Sequence, residues 1–284
     1  MNNNIYDNLI DIDDGILLKK GKNPGPTLAV FAGIHGNEKV GVLAIAKVVS
    51  EIEITSGSVY FVFANPPAIK ASERSVNKNL NRCFLKENNG DTWEDARARK
   101  LMKILDVCDS LLDLHASNIP ESTPFAICEE LAFPFVKNFD IKIVSTGWDS
   151  IEPGATDGYM LQNGKPGVCL ECGFADDGDL YMSLAEKSIY AFLRFYRVIE
   201  GAIENQKFDK KRLVHVDRVI KRTDDVFEFA KEFKDFEKLD SGKVFASDSR
   251  RSYIAEDGDV ILFAHPVKEM GAEMCILGKE IGFI

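Results

Sequence analysis

Residues 28–34, Leu28-Ala29-Val30-Phe31-Ala32-Gly33-Ile34, are apolar throughout, with no alternation between polar and apolar positions. A run of that length with nothing polar on either side is what a strand buried on both faces requires. It stops abruptly at His35-Gly36-Asn37, and from Glu38 the apolar residues Val42, Ile45, Ala46 and Val49 recur at helical spacing to about residue 52. Residues 59–63 are a second buried strand, stopped by Asn65-Pro66-Pro67 because neither proline can donate to a ladder.

The alternation continues. Thr92-x-x-Asp95 has the form of a helix cap, and Ala96, Leu101, Ile104 and Leu105 mark a helix to about residue 109. Strands are expected at 111–114, 124–128, 141–145 and 167–172, with a candidate edge strand at 15–19. A helix over 180–200 carries Ala185, Ile189, Phe192, Tyr196 and Ile199 on one stripe. Strands alternating with helices imply an α/β architecture, a mostly parallel mixed sheet flanked by helices. After Phe208 the pattern becomes short strand-like pieces at 213–216, 226–229, 244–246, 253–255 and 260–263, with Asp257-Gly258 a favoured hairpin turn. Two domains follow, 1–205 and a smaller, mainly β domain at 206–284. Residues 66–91 are left as a long polar connection, and loops of that length inside compact domains are commonly functional.

Composition excludes some partners. The net charge of −10, from 35 basic and 45 acidic residues, argues against nucleic acid and against an anionic membrane surface. No apolar run reaches the roughly 18 residues of a membrane-spanning helix, and the first residues lack the features of a secretory signal. A cytoplasmic protein is expected. The six cysteines lie among apolar residues, as reduced core side chains do.

Four strand ends carry the polar chemistry. His35-x-x-Glu38 brings an imidazole and a carboxylate together at one of them, as two ligands of a metal or as a solvated histidine beside a helix-opening glutamate. His115 follows the strand at 111–114, with Asp113 two residues back on the same face. Sites in open α/β sheets form beyond the carboxyl ends of the strands, and two histidines with one carboxylate form a catalytic zinc set. Asp113 suits either a support for a ligand imidazole or a structural carboxylate. Glu171, in the apolar strand Val168-Cys169-Leu170-Glu171-Cys172, is either a base for a water beside the metal or a strand-end residue reaching solvent. Cys169 and Cys172 fall on opposite strand faces and have no second pair, which excludes a zinc ribbon. In the long loop, Arg74 and Arg82 are suited to gripping a carboxylate or to an ordinary surface place. His215 and His265 lie outside these strand ends and are expected to be structural.

Together these residues resemble the succinylglutamate desuccinylase and aspartoacylase group of the zinc carboxypeptidase superfamily. The matching motifs are Gly33-Ile34-His35-Gly36-Asn37-Glu38, Asn65-Pro66 followed by Arg74 and Asn81-Arg82-x-Phe84, Asp113-Leu114-His115, and Glu171-x-Gly173. They occur in that family's order across residues 28–174. The resemblance implies a zinc-carboxypeptidase-like catalytic domain at 1–205 that binds one zinc ion through His35, Glu38 and His115. Glu171 would be the general acid and base, Arg74 would polarise the scissile carbonyl, and Asn81 and Arg82 would hold the α-carboxylate of a small anionic amide substrate. Two positions depart from the pattern. Asn79 stands where the family commonly has Asp, and Leu161 where aspartoacylase-like members carry an arginine. Lys165, the one positive charge near Leu161, is expected to bind substrate in its place, and a dicarboxylate preference is left unsupported. The implied activity is removal of an acyl group from a small N-acyl amino acid. The alternatives are a metallocarboxypeptidase trimming peptides or cell-wall fragments, a non-catalytic binding protein, and a metal-free structural fold. No feature demands an oligomer.

Overall fold

A computed structural model describes residues 12–120, 122–175, 178–204 and 206–284; the first eleven residues of the polar amino-terminal stretch lie outside it. In chain order the strands are β1 Ile16–Lys20, β2 Asn23–Ala32, β3 Ser56–Phe63, β4 Ser110–Ser117, β5 Phe125–Cys128, β6 Ile143–Thr146 and β7 Gly167–Phe174. β8 Arg212–Lys221, β9 Phe227–Phe229, β10 Glu237–Lys238, β11 Val244–Asp248, β12 Ser252–Ile254, β13 Asp259–Leu262 and β14 Glu273–Phe283 follow. The principal helices are α1 Lys39–Glu51, α2 Pro66–Ala71, α3 Trp93–Val107, α4 Thr156–Gln162 and α5 Gly178–Phe195. The chain forms two compact units. One runs to Lys142 and takes in Glu152–Asp209; the other joins Ile143–Ile151 to Lys210–Ile284.

In the first unit the strands run in the order β1-β3-β2-β4-β7-β5. β3, β2, β4 and β7 are parallel, whereas β1 and β5 are antiparallel to their neighbours. This is the mostly parallel mixed sheet expected from the sequence. Leu28, Ala29, Val30, Phe31 and Ala32 are all fully buried, which explains why β2 has no polar alternation. On one face α1 lies on β4 and packs against α5. On the other, Phe31, Leu80, Phe84, Leu101, Leu105 and Met160 share a core with Ala29 and Leu111. The six cysteines are buried and unbridged. Among the described residues no helix is long and apolar enough to cross a membrane.

Several local expectations are corrected. Asn65-Pro66-Pro67 does more than stop β3: the Asn65 side chain accepts the Ala68 N–H and opens α2 with proline in its first positions, where a missing N–H costs nothing. The connection at 66–91 therefore contains α2 and a 3-10 turn, Leu80–Arg82. α5 ends at Phe195 rather than at 200, with Arg197 in the left-handed region (φ 57°). His115 lies within β4, not beyond it.

In the second unit β6 runs parallel to β8, and β8, β14, β13 and β10 continue antiparallel; β12, β11 and β9 form a separate three-stranded sheet. The chain turn at Asp257-Gly258 (Gly258 φ +78°) thus links two sheets instead of closing a hairpin between paired strands. β14 was not foreseen, because Gly278, Lys279, Glu280 and Gly282 interrupt its apolar pattern. His215 meets the Thr146 hydroxyl at 3.0 Å and His265 meets the Phe263 carbonyl at 2.6 Å.

Arg97 in α3 is 3% exposed. It donates to the carbonyls of Ala64 (2.7 Å), Phe63 (3.0 Å) and Asp14 (2.9 Å), and its fork also meets the Asp14 carboxylate at 2.6 Å. Arg97→Ala should lower the unfolding free energy by about 3 kcal/mol, since it strands buried carbonyls. Removing the capping box that starts the same helix, with Thr92→Ala, should cost about 1 kcal/mol. Denaturant titrations of the two variants check the ranking.

Candidate active site

The carboxyl end of β2 is shaped by two glycines. Gly33 adopts φ +71°, turning the chain over α2. A Cβ on Gly36 would lie 2.1 Å from the Ala68 carbonyl carbon, so only glycine lets this turn press against α2. The Gly36 N–H donates to the Arg74 carbonyl at 3.3 Å, tying the turn to the loop that follows α2.

This geometry brings His35, Glu38 and His115 together, buried to 5%, 4% and 2% exposure. Their ligand atoms lie within 4.8 Å of one another, and the two imidazoles meet edge to face with centroids 5.3 Å apart. Glu38 Oε1 is 2.7 Å from His35 Nδ1 and 3.3 Å from the Arg74 guanidinium. Its Oε2 accepts the Ala116 N–H at 3.1 Å and stands 3.2 Å from His115 Nδ1. Burial alone would raise the Glu38 pKa, but the two histidines hold it well below the usual carboxylate range. His35 is lowered, because burial outweighs the pull of Glu38. His115 is raised in spite of burial, chiefly by Asp113.

The outer nitrogens explain the orientation of both rings. His35 Nε2 lies 2.9 Å from Asn79 Oδ1, and that same oxygen accepts the Asn81 N–H at 2.9 Å. The backbone bond fixes the amide with its oxygen toward the ring, so Nε2 must carry the hydrogen and Nδ1 is left with its lone pair. The 2.7 Å approach of Nδ1 to Glu38 then sets a lone pair against a carboxylate unless a proton or a cation lies between them. His115 Nε2 is 3.3 Å from Asp113 Oδ2, again leaving Nδ1 toward Glu38. Two Nδ1 atoms and a carboxylate, with one outer nitrogen bonded to Asn79 and the other facing the Asp113 carboxylate, fit a zinc ion.

Below His115 lies a second buried layer. Asp113 is fully buried and accepts the Thr156 hydroxyl at 2.6 Å. Cys169 lies 3.2 Å from Asp157 and 3.6 Å from Thr156. Asp113, His115 and Cys169 also come within 4.8 Å of one another. Burial holds the Cys169 thiol far above its ordinary pKa, however, and a protonated thiol is a poor ligand. Burial likewise pushes Asp157 up to about 6.

The remaining expected residues divide. Glu171 on β7 is the register partner of His115 on β4, so both side chains leave the same face of adjacent strands. Arg74 touches Glu38 with its side chain 51% exposed. Asn81 and Arg82 form the 3-10 turn beside Asn79, and Asn81 Oδ1 is buried without a hydrogen-bond partner. Lys165 is not in this group. It precedes β7, at the amino end of the sheet, and its ammonium meets the carbonyls of Leu105 (3.3 Å) and Asp106 (2.6 Å) at the end of α3. β7 carries the chain from Lys165 to Glu171 across the sheet, so sequence proximity to the site did not become proximity in space. Leu161 lies in the last turn of α4, at the same end. Sequence alone does not single out Glu152, beside Pro153 and Gly154, or Thr156 and Asp157, at the start of the short helix α4, since isolated polar residues there carry no periodic signal.

Comparison with known proteins gives a concordant result. The family model described as the succinylglutamate desuccinylase/aspartoacylase catalytic domain matches residues 24–199. A probable aspartoacylase of Nostoc sp. is 32% identical over 194 residues, covering 59% of this chain and 63% of the relative. A succinylglutamate desuccinylase of Pseudomonas fluorescens is 25% identical, covering 91% of this chain and 84% of the relative. The crystal structure of succinylglutamate desuccinylase from Vibrio cholerae has the same fold, with a TM-score of 0.78 at 19% identity over 95% of this chain and 89% of that one.

Two outcomes follow from the geometry. Asn79→Ala frees the outer nitrogen of His35 and should weaken zinc affinity about 10- to 100-fold in a chelator competition, with the circular dichroism spectrum unchanged. Asp157 binds its proton more tightly folded than unfolded, so its contribution to stability is full below its ordinary value of 3.8 and is lost as pH rises through about 6. Asp157→Asn should therefore gain up to about 3 kcal/mol over wild type between pH 4 and pH 7 in denaturant titrations. Parallel pH profiles would contradict that raised pKa.

Proposed function

The chain belongs to the succinylglutamate desuccinylase/aspartoacylase family, and from that premise we propose that it is a zinc-dependent hydrolase releasing an acyl group from a small N-acyl amino acid. The observation that carries this reading is the convergence of His35, Glu38 and His115 next to the strand position of Glu171. On this reading those three residues hold one zinc ion per chain. Zinc there supplies Lewis acidity, polarising an acyl carbonyl and making a water acidic enough to ionise near neutral pH.

The protein's own groups do the rest. Glu171 takes a proton from the attacking water, whose oxygen bonds to the acyl carbon. The carbon–nitrogen bond then breaks, and Glu171 returns the proton to the departing amine nitrogen, leaving a carboxylate and a free amino acid. Arg74, half exposed beside Glu38, donates to the carbonyl oxygen as it gains negative charge. Asn81 and Arg82 receive the α-carboxylate, the Asn81 side-chain amide NH2 and the Arg82 guanidinium supplying the N–H donors. The first unit is the catalytic domain, the β unit a smaller second domain, and the setting cytoplasmic.

Release of free amine from a panel of N-acyl amino acids by zinc-loaded protein tests the reading. Glu171→Gln should lower kcat by about a thousandfold while retaining one zinc per chain, and Arg74→Ala by about a hundredfold or more. Undiminished release by Glu171→Gln would overturn the assignment.

A further inference from the structure

Arg82, the residue offered above to the substrate carboxylate, is already paired. Its guanidinium meets the Glu152 carboxylate and also donates to the Asn81 carbonyl at 2.7 Å. Glu152 is not a loose surface group: its side chain is only 18% exposed and its turn is fastened on both sides. On one side Gly154 (φ +92°) accepts the Phe84 N–H at 3.0 Å and lies so close that a Cβ would sit 2.8 Å from the Arg82 carbonyl. On the other, Thr156 bonds Asp113, the partner of His115. The 3-10 turn bearing Arg82 is bonded through Asn81 and Asn79 to His35. The pair thus stands between two chains of contacts that each end on a histidine of the site.

The other cations of this loop are committed as well. Arg74 meets Glu38, Lys78 meets Asp95 at 2.7 Å, and Lys86 donates to the Gln162 carbonyl at 3.1 Å. A guanidinium has five N–H donors, so Arg82 keeps donors for one incoming carboxylate while Glu152 remains bound. The charge balance is different. The Arg82–Glu152 pair is neutral, one carboxylate makes it net negative, and a second carboxylate on the substrate side chain adds to that negative charge, while Arg74, Lys78 and Arg82 are each already balanced by a carboxylate of the protein. A side-chain ammonium beside Glu152 would restore the balance.

We propose that Glu152 sets the substrate class of this site, favouring N-acyl amino acids with a cationic side chain, then neutral ones, and disfavouring dicarboxylates. This rests on the acyl-amino-acid reading above and adds the charge of the side chain to it.

The test compares kcat/KM of the zinc-loaded full chain on N-acetyl-L-ornithine, N-acetyl-L-methionine, N-acetyl-L-aspartate and N-succinyl-L-glutamate. The ornithine derivative should exceed the aspartate derivative by at least roughly tenfold, and Glu152→Gln should narrow that ratio by roughly tenfold, mainly through KM. Glu152→Asp, which keeps the charge, should keep the order. Calorimetric binding of the products L-ornithine and L-aspartate gives the same ranking without turnover. A wild-type preference for dicarboxylates, or an unchanged ratio in a folded Glu152→Gln protein, overturns the proposal. Absence of hydrolysis of every compound, with ornithine still bound better than aspartate, would instead remove the acylase reading and leave the charge preference standing.

Discussion

The buried carboxylate of Glu38 is the constraint on which the site depends. A charge taken this far out of water must be met on every side, and here it is met by two imidazoles, a guanidinium and the Ala116 backbone N–H. They come from three parts of the chain: His35 from the turn after β2, His115 and Ala116 from the strand β4, and Arg74 from the loop after α2. Satisfying one carboxylate therefore fixes how those parts meet. Gly36 is what lets the turn reach α2 closely enough for this to happen, because the space a side chain would need is filled by the Ala68 backbone.

The layer beneath repeats the logic around a second buried carboxylate. Asp113 is fully buried, accepts from Thr156 and lies beside His115, so a helix that begins at Thr156 is keyed to the orientation of an imidazole on a neighbouring strand. An imidazole presents one ring nitrogen in a fixed direction only while its other ring nitrogen is held. For His35 that holder is Asn79, and the Asn81 N–H dictates which way its amide turns. An amide at this position orients the ring as a carboxylate would, with one negative charge fewer.

Much of this was legible in the sequence, for a physical reason. Strands buried on both faces announce themselves as unbroken apolar runs, and a polar residue at the end of such a run is conspicuous, so His35, Glu38, His115 and Glu171 stood out. Residues placed by tertiary contact did not. Lys165 is near Glu171 in sequence and at the other end of the sheet in space. Glu152 looks like any acidic residue before Pro153, and its meaning comes from Arg82, far away in sequence. β6 is a strand at nearly the expected position, yet it belongs with Arg212 and its neighbours in the second unit, a long-range choice that local pattern does not encode.

The parallel register of His115 with Glu171 has a wider consequence. Their separation is set by the spacing of two hydrogen-bonded strands, and a slip of one residue would turn either side chain to the opposite face. His115 and Glu171 are thus woven into the sheet, whereas Arg82 and Glu152 hang from turns outside it. Such a division makes the fold modular in evolution. Turns can lengthen, exchange charge or change partner while the strand-borne pair stays the same distance apart, so descendants of one scaffold can diverge at their turns long before they diverge within the sheet.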